Sequence, residues 1–347
     1  MIRVKRNHRD ETKPQDSCDQ LIDSIGVGQH IQSDDEQNHH YDLHKELIAD
    51  GWVSKRAINL DEGCEGFEPT AVESKSQTVA YRPDTLLDGW AIDYCIVRAA
   101  SLRGKSHRRT GKPRQDDIAI RIRDDIPALI ITVADGVSSV SHAHIASTVA
   151  TRYITQWLAE DPLLSHQSIE WEKLIGYASE ALVNQAENIH SGLGRQLEKI
   201  RRVVATTVVC AVIFPTCTPG TLHVKLCSVG DSGAWVIDQG KVVHLCGGKK
   251  INEDEVYDGS TYCLPDPYPC LEVTSFDIMK DQVLLIGTDG FGDPLGDGTY
   301  QVGKLYSSVL SKRVPSILEF GHMLDFNLRS FGDDRSLVAV WPQTWRS

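Results

Sequence analysis

The stretch ITVADGVSS, residues 131–139, is an apolar run that stops on Asp135-Gly136, and LLIGTDGFGD, residues 284–293, repeats the design with Asp289-Gly290. A strand rich in β-branched residues that ends in a polar turn is ordinary. Two such strands that each deliver an Asp-Gly at the tip point to carboxylates aimed at a shared target. Gln115-Asp116-Asp117 and Asp333-Asp334 add acidic strand-edge motifs, and Gly230-Asp231-Ser232 follows the strand-like run LHVKLCSV. Like charges gathered together repel, so a cluster implies a cation among them. All-oxygen donors suit Mg²⁺ or Mn²⁺ rather than zinc. Glycine after each Asp lets the backbone come close and offers its carbonyl as a further ligand. The competing reading is turn punctuation, which explains any one of these motifs better than it explains the set.

Composition bounds the rest. The chain has 347 residues, 41% hydrophobic and 24% charged, enough for one large domain plus an extension. A formal charge of −12 with no basic face argues against a nucleic-acid partner. No apolar run reaches the roughly 18 residues of a membrane span, and MIRVKRNHRDETK lacks the apolar centre of a signal peptide. These features lead to the expectation of a cytoplasmic protein. The nine cysteines contain no C-x-x-C and several lie in apolar runs, so buried reduced thiols are expected.

Residues 1–88 read as a polar, acidic extension, partly disordered or a small accessory region, with QSDDEQNHHYD as its most polar part and YDLHKELIADGW as a short helical patch. Residues 89–347 read as a globular domain. Strand-like runs start with WAIDYCIVRAA and DIAIRIR and end with RSLVAVW. Helices are expected over 141–159, with Ile145, Val149, Tyr153 and Trp157 recurring every four positions and Ser139 or Ser141 as cap, and over 168–190, 302–311 and 315–329. Pro315 suits a first helical position. Strands, two helices, strands again, two helices and a last strand make an α+β order, not the strict alternation of a doubly wound sheet.

The ordered set GKSHRRTGKPRQDD, VADGVSS, ATTVV, SVGDSGAW, LIGTDGFGD and GDDRS resembles the motifs of the protein phosphatase 2C family, the metal-dependent Ser/Thr phosphatases, in a bacterial branch. The likeness runs from about Trp90 to Trp341. It implies a β-sandwich of two antiparallel sheets flanked by helix pairs, with a binuclear Mn²⁺ or Mg²⁺ centre at one end. It implies hydrolysis of phosphoserine or phosphothreonine by attack of a metal-activated water. Carried over, Asp135 would bridge both metals, the Gly136 carbonyl would bind one, Asp289 and Asp334 would complete the shell of the first metal, and Asp116 would hold the second metal largely through waters. A weaker third metal would use Asp231 with Asp289 and Asp293. Thr206 and Thr207 match paired threonines behind the site.

The sequence departs from the family at two places. Val137 stands where eukaryotic members carry a His, the candidate general acid, so the leaving-group proton must come from water or another side chain; His142 and His144 nearby read as helix-surface residues. The family's phosphate-binding Arg has no unambiguous counterpart, and Arg109 and His107 rank first among His107, Arg108, Arg109 and Arg114. The irregular stretch 247–270 falls where the family carries a variable flap. The expected partners are a phosphorylated protein substrate and a cognate Ser/Thr kinase. The alternative is a pseudophosphatase or phosphoprotein-binding scaffold, motivated by the acidic extension and the unusual phosphate-grip segment.

Overall fold

The computed structural model describes residues 82–344 apart from 124, 162–163, 165–167, 249–261 and 267–269. The readings of residues 1–81 and of most of the flap lie outside the described residues.

The run ALIITVA forms β4 (Ala128–Ala134), every residue of it buried. Such a run needs cover on both faces. Ile130 and Ala134 point to one core cluster and Leu129, Ile131 and Val133 to another. Strand β5 (Val208–Pro215) divides the same way: Val208, Cys210, Val212 and Phe214 face helices, whereas Val209, Ala211 and Ile213 face the opposite sheet. These strands belong to a five-stranded sheet ordered β3-β4-β5-β6-β9, with β3 (Asp117–Arg123), β6 (Thr221–Val229) and β9 (Glu272–Met279). The second sheet has six strands ordered β1-β2-β11-β10-β7-β8. Its members are β1 (Thr85–Ile92), β2 (Cys95–Leu102), β7 (Gly233–Asp238), β8 (Lys241–Cys246), β10 (Gln282–Gly287) and β11 (Arg335–Pro342). Every strand pair is antiparallel.

Helices cover both outer faces. α1 (Lys105–Thr110) is a short turn beside the site; α2 (Ala143–Glu160), α3 (Trp171–Ile189) and α4 (Leu197–Arg201) lie on the five-stranded sheet. α5 (Asp289–Leu295), α6 (Gln301–Leu310) and α7 (Ile317–Leu324) lie on the six-stranded one. The α+β sandwich with flanking helices is therefore the observed architecture.

Local details differ from expectation. WAIDYCIVRAA is not one strand: it turns at Asp93-Tyr94 and splits between β1 and β2. β1 begins at Thr85, inside the stretch assigned by composition to the extension. The buried stripe of α2 is Ala146, Ala150, Ile154 and Leu158, with Tyr153 exposed, because the small alanines let the helix approach β4 closely. Thr155 donates to Thr132 across that contact at 2.8 Å, which satisfies both buried hydroxyls. Neither Ser139 nor Ser141 caps α2; the N-cap is His142, without a side-chain cap, and Ser141 Oγ lies 2.8 Å from His142 Nδ1 instead. α7 begins later than predicted because Ser316 forms a capping box with Glu319, leaving Pro315 outside. Cys95, Cys210, Cys227 and Cys246 are buried thiols as expected, whereas Cys217 and Cys270 are exposed.

Candidate metal centre

Antiparallel pairing brings the acidic motifs to one end of the sandwich. Asp117 opens β3 opposite Ala134, the last residue of β4, so Asp116 and Asp135 are neighbours. Gly287 closes β10 opposite Leu337 near the start of β11, so Asp289 meets the loop that carries Asp333 and Asp334. Val229 closes β6 opposite Val208, which delivers Asp231 to the same end. The carboxylates of Asp135, Asp231 and Asp289 approach within 4.8 Å of one another. Asp116 stands carboxyl to carboxyl with Asp135 at hydrogen-bonding range.

The backbone is built for this crowding. Thr206 Oγ1 and the Thr207 amide both donate to the Asp135 carbonyl, at 2.7 and 2.8 Å, which fixes the Asp-Gly turn and explains the paired threonines. A Cβ at Gly136 would lie 2.5 Å from the Ala143 carbonyl oxygen, and one at Gly290 would lie 1.9 Å from that of Asp334. Only glycine lets those chains pass.

Burial dominates the electrostatics, and charge repulsion adds to it. Burial, then the Asp334 charge, pushes the Asp116 carboxyl up to about 8. Burial, then the charges of Asp116 and Asp289, raises Asp135 well above the usual carboxylate range. Asp333 is raised too, by burial and by Asp334. Thr288 Oγ1 donates to Asp116 Oδ2 at 2.8 Å, but Asp116 Oδ1 and Gln115 Oε1 are buried and meet no donor among the described residues. Buried carboxylates held against one another, with acceptor oxygens facing no proton, fit a hard divalent cation. The all-oxygen donor set of Asp116, Asp135, Asp231 and Asp289 therefore suits Mn²⁺ or Mg²⁺.

Asp334 Oδ1 accepts the Gly104 amide at 2.6 Å, and its Oδ2 accepts the Gln115 amide and lies 2.9 Å from His107 Nδ1. Each oxygen keeps a further lone pair, and the Asp334 charge acts on Asp116 more strongly than that of any other residue. Asp333, which the sequence reading passed over as a ligand, is the exposed member of the pair, and its field acts on both Asp135 and Asp116. Asp293 lies one helical turn beyond Asp289 in α5 and is outside the close group.

The phosphate-grip candidates separate clearly. His107 is buried against Asp334; burial lowers its basicity, but the Asp334 hydrogen bond and the charges of Asp334 and Asp333 outweigh this and raise it. Arg109 is exposed at the end of α1. Arg108 pairs with Asp325 at 3.3 Å. Arg114 is buried, donating to Ser101 Oγ and to the Asp116 carbonyl, the latter at 2.8 Å. His144 is not a surface residue: it is buried, and burial followed by the Arg82 charge lowers it to about 4. His142 is half-buried, with its ring 5.6 Å from that of His190.

The family model described as protein phosphatase 2C matches residues 103–317, well over half of the chain. The chain belongs to the protein phosphatase 2C family. That family consists of protein-serine/threonine phosphatases, and the motif order in the sequence now has its structural counterpart. Solved structures share the phosphatase 2C fold. Stp1, a serine/threonine phosphatase from Staphylococcus aureus, is 17% identical, with 76% of this chain and 99% of that one covered at a TM-score of 0.53. A bacterial serine phosphatase is 17% identical over 72% of this chain and 98% of its own, at 0.52. The S. agalactiae serine/threonine phosphatase is 16% identical over 72% and 99%, also at 0.52. At such identities the likeness is one of fold. No curated protein matches the chain in sequence. Among the described residues, no helix of this phosphatase 2C chain is long and apolar enough to cross a membrane.

Proposed function

We propose that the chain is a metal-dependent phosphoprotein phosphatase acting on phosphoserine and phosphothreonine through a pair of Mn²⁺ or Mg²⁺ ions. The observation that carries this reading is the close group of Asp116, Asp135, Asp231 and Asp289, Asp116 buried and the others half-buried, whose ionised forms a divalent cation would stabilise together. Asp116, Asp135, the Gly136 carbonyl, Asp289 and Asp334 would hold the metal pair. Asp333 would join Asp334 on its side, since these two carboxylates and His107 gather within 4.8 Å. Asp231, with Asp289 and then Asp293, forms a weaker third position.

When bound, such a metal pair supplies an acidified water and positive charge against the phosphate. The chain's own residues do the rest. The Asp135 turn, fixed by Thr206 and Thr207, sets the spacing of the donors. His107, held in orientation by Asp334, is the group assigned to meet the phosphate dianion; burial lowers its basicity, but the Asp334 hydrogen bond and charge outweigh this and raise it. Val137 offers no proton, so the departing hydroxyl takes its proton from solvent.

The substrate is a phosphorylated protein, and a cognate Ser/Thr kinase is the class of enzyme that would place its phosphate. The segment ahead of β1, which starts at Thr85, serves as an accessory extension to the catalytic domain. The test is hydrolysis of p-nitrophenyl phosphate and of a phosphothreonine peptide with Mn²⁺, with EDTA, and by Asp289→Ala. Activity that needs the metal and drops at least about a hundredfold in the variant supports the reading. A folded protein that binds Mn²⁺ yet hydrolyses neither substrate overturns it.

A further inference from the structure

The Asp116 main-chain carbonyl accepts from two guanidinium groups at once. Arg114 Nη1 reaches it at 2.8 Å from two residues away, and Arg82 Nη2 reaches it from 34 residues upstream. Arg82 is anchored by more than that contact. Its Nη1 donates to Thr148 Oγ1 at 2.6 Å and lies 3.5 Å from Asp117 Oδ2, while Thr148 Oγ1 donates in turn to the same Asp117 oxygen at 2.7 Å. The guanidinium therefore bridges the first residues of β3 to α2. Its side chain is only 13% exposed, so burial costs it charge stability that Asp117 and its neighbours must offset.

The next two residues grip the same loop. Arg114 Nε donates to the Pro83 carbonyl at 3.3 Å, and Arg103 Nη1 pairs with Asp84 at 3.1 Å. Arg103 then donates to the His107 and Lys112 carbonyls, at 3.0 and 2.7 Å. Three consecutive residues ahead of β1 thus clasp the loop that carries both His107 and Asp116.

We propose that Arg82 is a positioning residue for metal binding at Asp116, so that the segment ahead of the catalytic sheet sets the affinity of the second metal. Arg82 touches neither substrate nor any carboxylate of the metal group; it acts by holding the Asp116 backbone. Groups that orient a ligand from behind typically contribute a factor of about 10–100 in metal affinity. Arginine suits this place because its planar fork reaches the carbonyl, the hydroxyl and the carboxylate together, which a lysine ammonium does not.

The inference rests on the metal site proposed above, and calorimetry with MnCl₂ on the full chain separates the two. Arg82→Ala is expected to weaken the looser Mn²⁺ step about tenfold or more and leave the tighter step within about twofold. Arg82→Lys is expected to recover part of the loss. Turnover of p-nitrophenyl phosphate should need correspondingly more Mn²⁺, with kcat at saturating metal within about threefold of wild type. A residue that merely stabilised the fold would lower Tm without shifting one metal step selectively. Should Arg82→Ala fail to fold, Thr148→Val removes the hydroxyl anchor alone and should give an intermediate weakening. Isotherms of folded variants that overlay the wild type overturn the brace. A wild-type chain that takes up no Mn²⁺ overturns the metal site and the brace with it.

Discussion

His107 Nδ1 and Asp334 Oδ2 lie 2.9 Å apart, and the same carboxylate accepts the amides of Gly104 and Gln115. This makes Asp334 an anchor of the α1 loop as well as a member of an acidic group with Asp333. The two aspartates should therefore fail in different ways. Asp334→Ala leaves two buried amides without acceptors, at a cost of about 1–3 kcal/mol each, so its Tm should fall clearly. Asp333→Ala should keep its metal-free Tm yet lose Mn²⁺ binding and activity. Thermal melts with and without EDTA, beside calorimetry, check the pair. Equal Mn²⁺ binding by wild type and Asp333→Ala would leave the ligand role to Asp334 alone.

The repulsion inside the centre has a pH signature in the metal-free protein. Asp116 is held at about 8 in the fold against an ordinary 3.8. Its folded state binds the proton more tightly than the unfolded chain, so stability rises as pH falls from about 9 towards 6. EDTA-treated protein should accordingly melt a few degrees higher at pH 6.5 than at pH 8.5. Asp116→Asn should flatten that slope, and saturating Mn²⁺ should reverse it by stabilising the ionised form. An unchanged slope in the variant would show that Asp116 is not the group responsible.

How much of this was legible in the sequence depends on the range of the interaction. The Asp-Gly tips were readable because strand end and turn are adjacent in the chain, and the alternation in ALIITVA already carries both buried faces. That Asp334 also anchors the α1 loop was not readable, since it depends on amides of Gly104 and Gln115 more than two hundred residues away. Thr288 was passed over for the same reason: its hydroxyl reaches Asp116 across 172 positions. Arg82 lay in a stretch whose composition marked it as extension, and only the clasp on Asp116 reveals its place. The split of WAIDYCIVRAA into a hairpin hid because Asp93-Tyr94 lacks the glycine that usually flags a two-residue turn.

His107 and Arg109 give a direct comparison of buried and exposed cations beside the cleft. His107→Ala should lower kcat/KM on a phosphothreonine peptide at least about tenfold, since a charge-assisted contact to phosphate is lost. Arg109→Ala should stay within about twofold, because the side chain projects from the end of α1 into solvent. Steady-state kinetics at saturating Mn²⁺ decide the matter, and the reverse ranking would move the phosphate grip to Arg109.

His144 sets the acid limit of the fold. It is 7% exposed, its Nε2 meets no partner among the described residues, and burial with the Arg82 charge holds it at about 4 against an ordinary 6.5. The unfolded chain takes up this proton first, so the neutral ring's contribution is whole above pH 6.5 and is lost as pH falls towards 4. The full difference is about 3 kcal/mol at one pKa unit per 1.36 kcal/mol. The raised Asp116 carboxyl runs the other way from about pH 8 down to 3.8, so the two effects offset each other below pH 6.5. Chemical denaturation of the metal-free protein between pH 6.5 and 4.5 should therefore show a steeper gain in stability towards acid in His144→Gln than in the wild type. Equal slopes in the two proteins would mean that His144 does not act on the acid side.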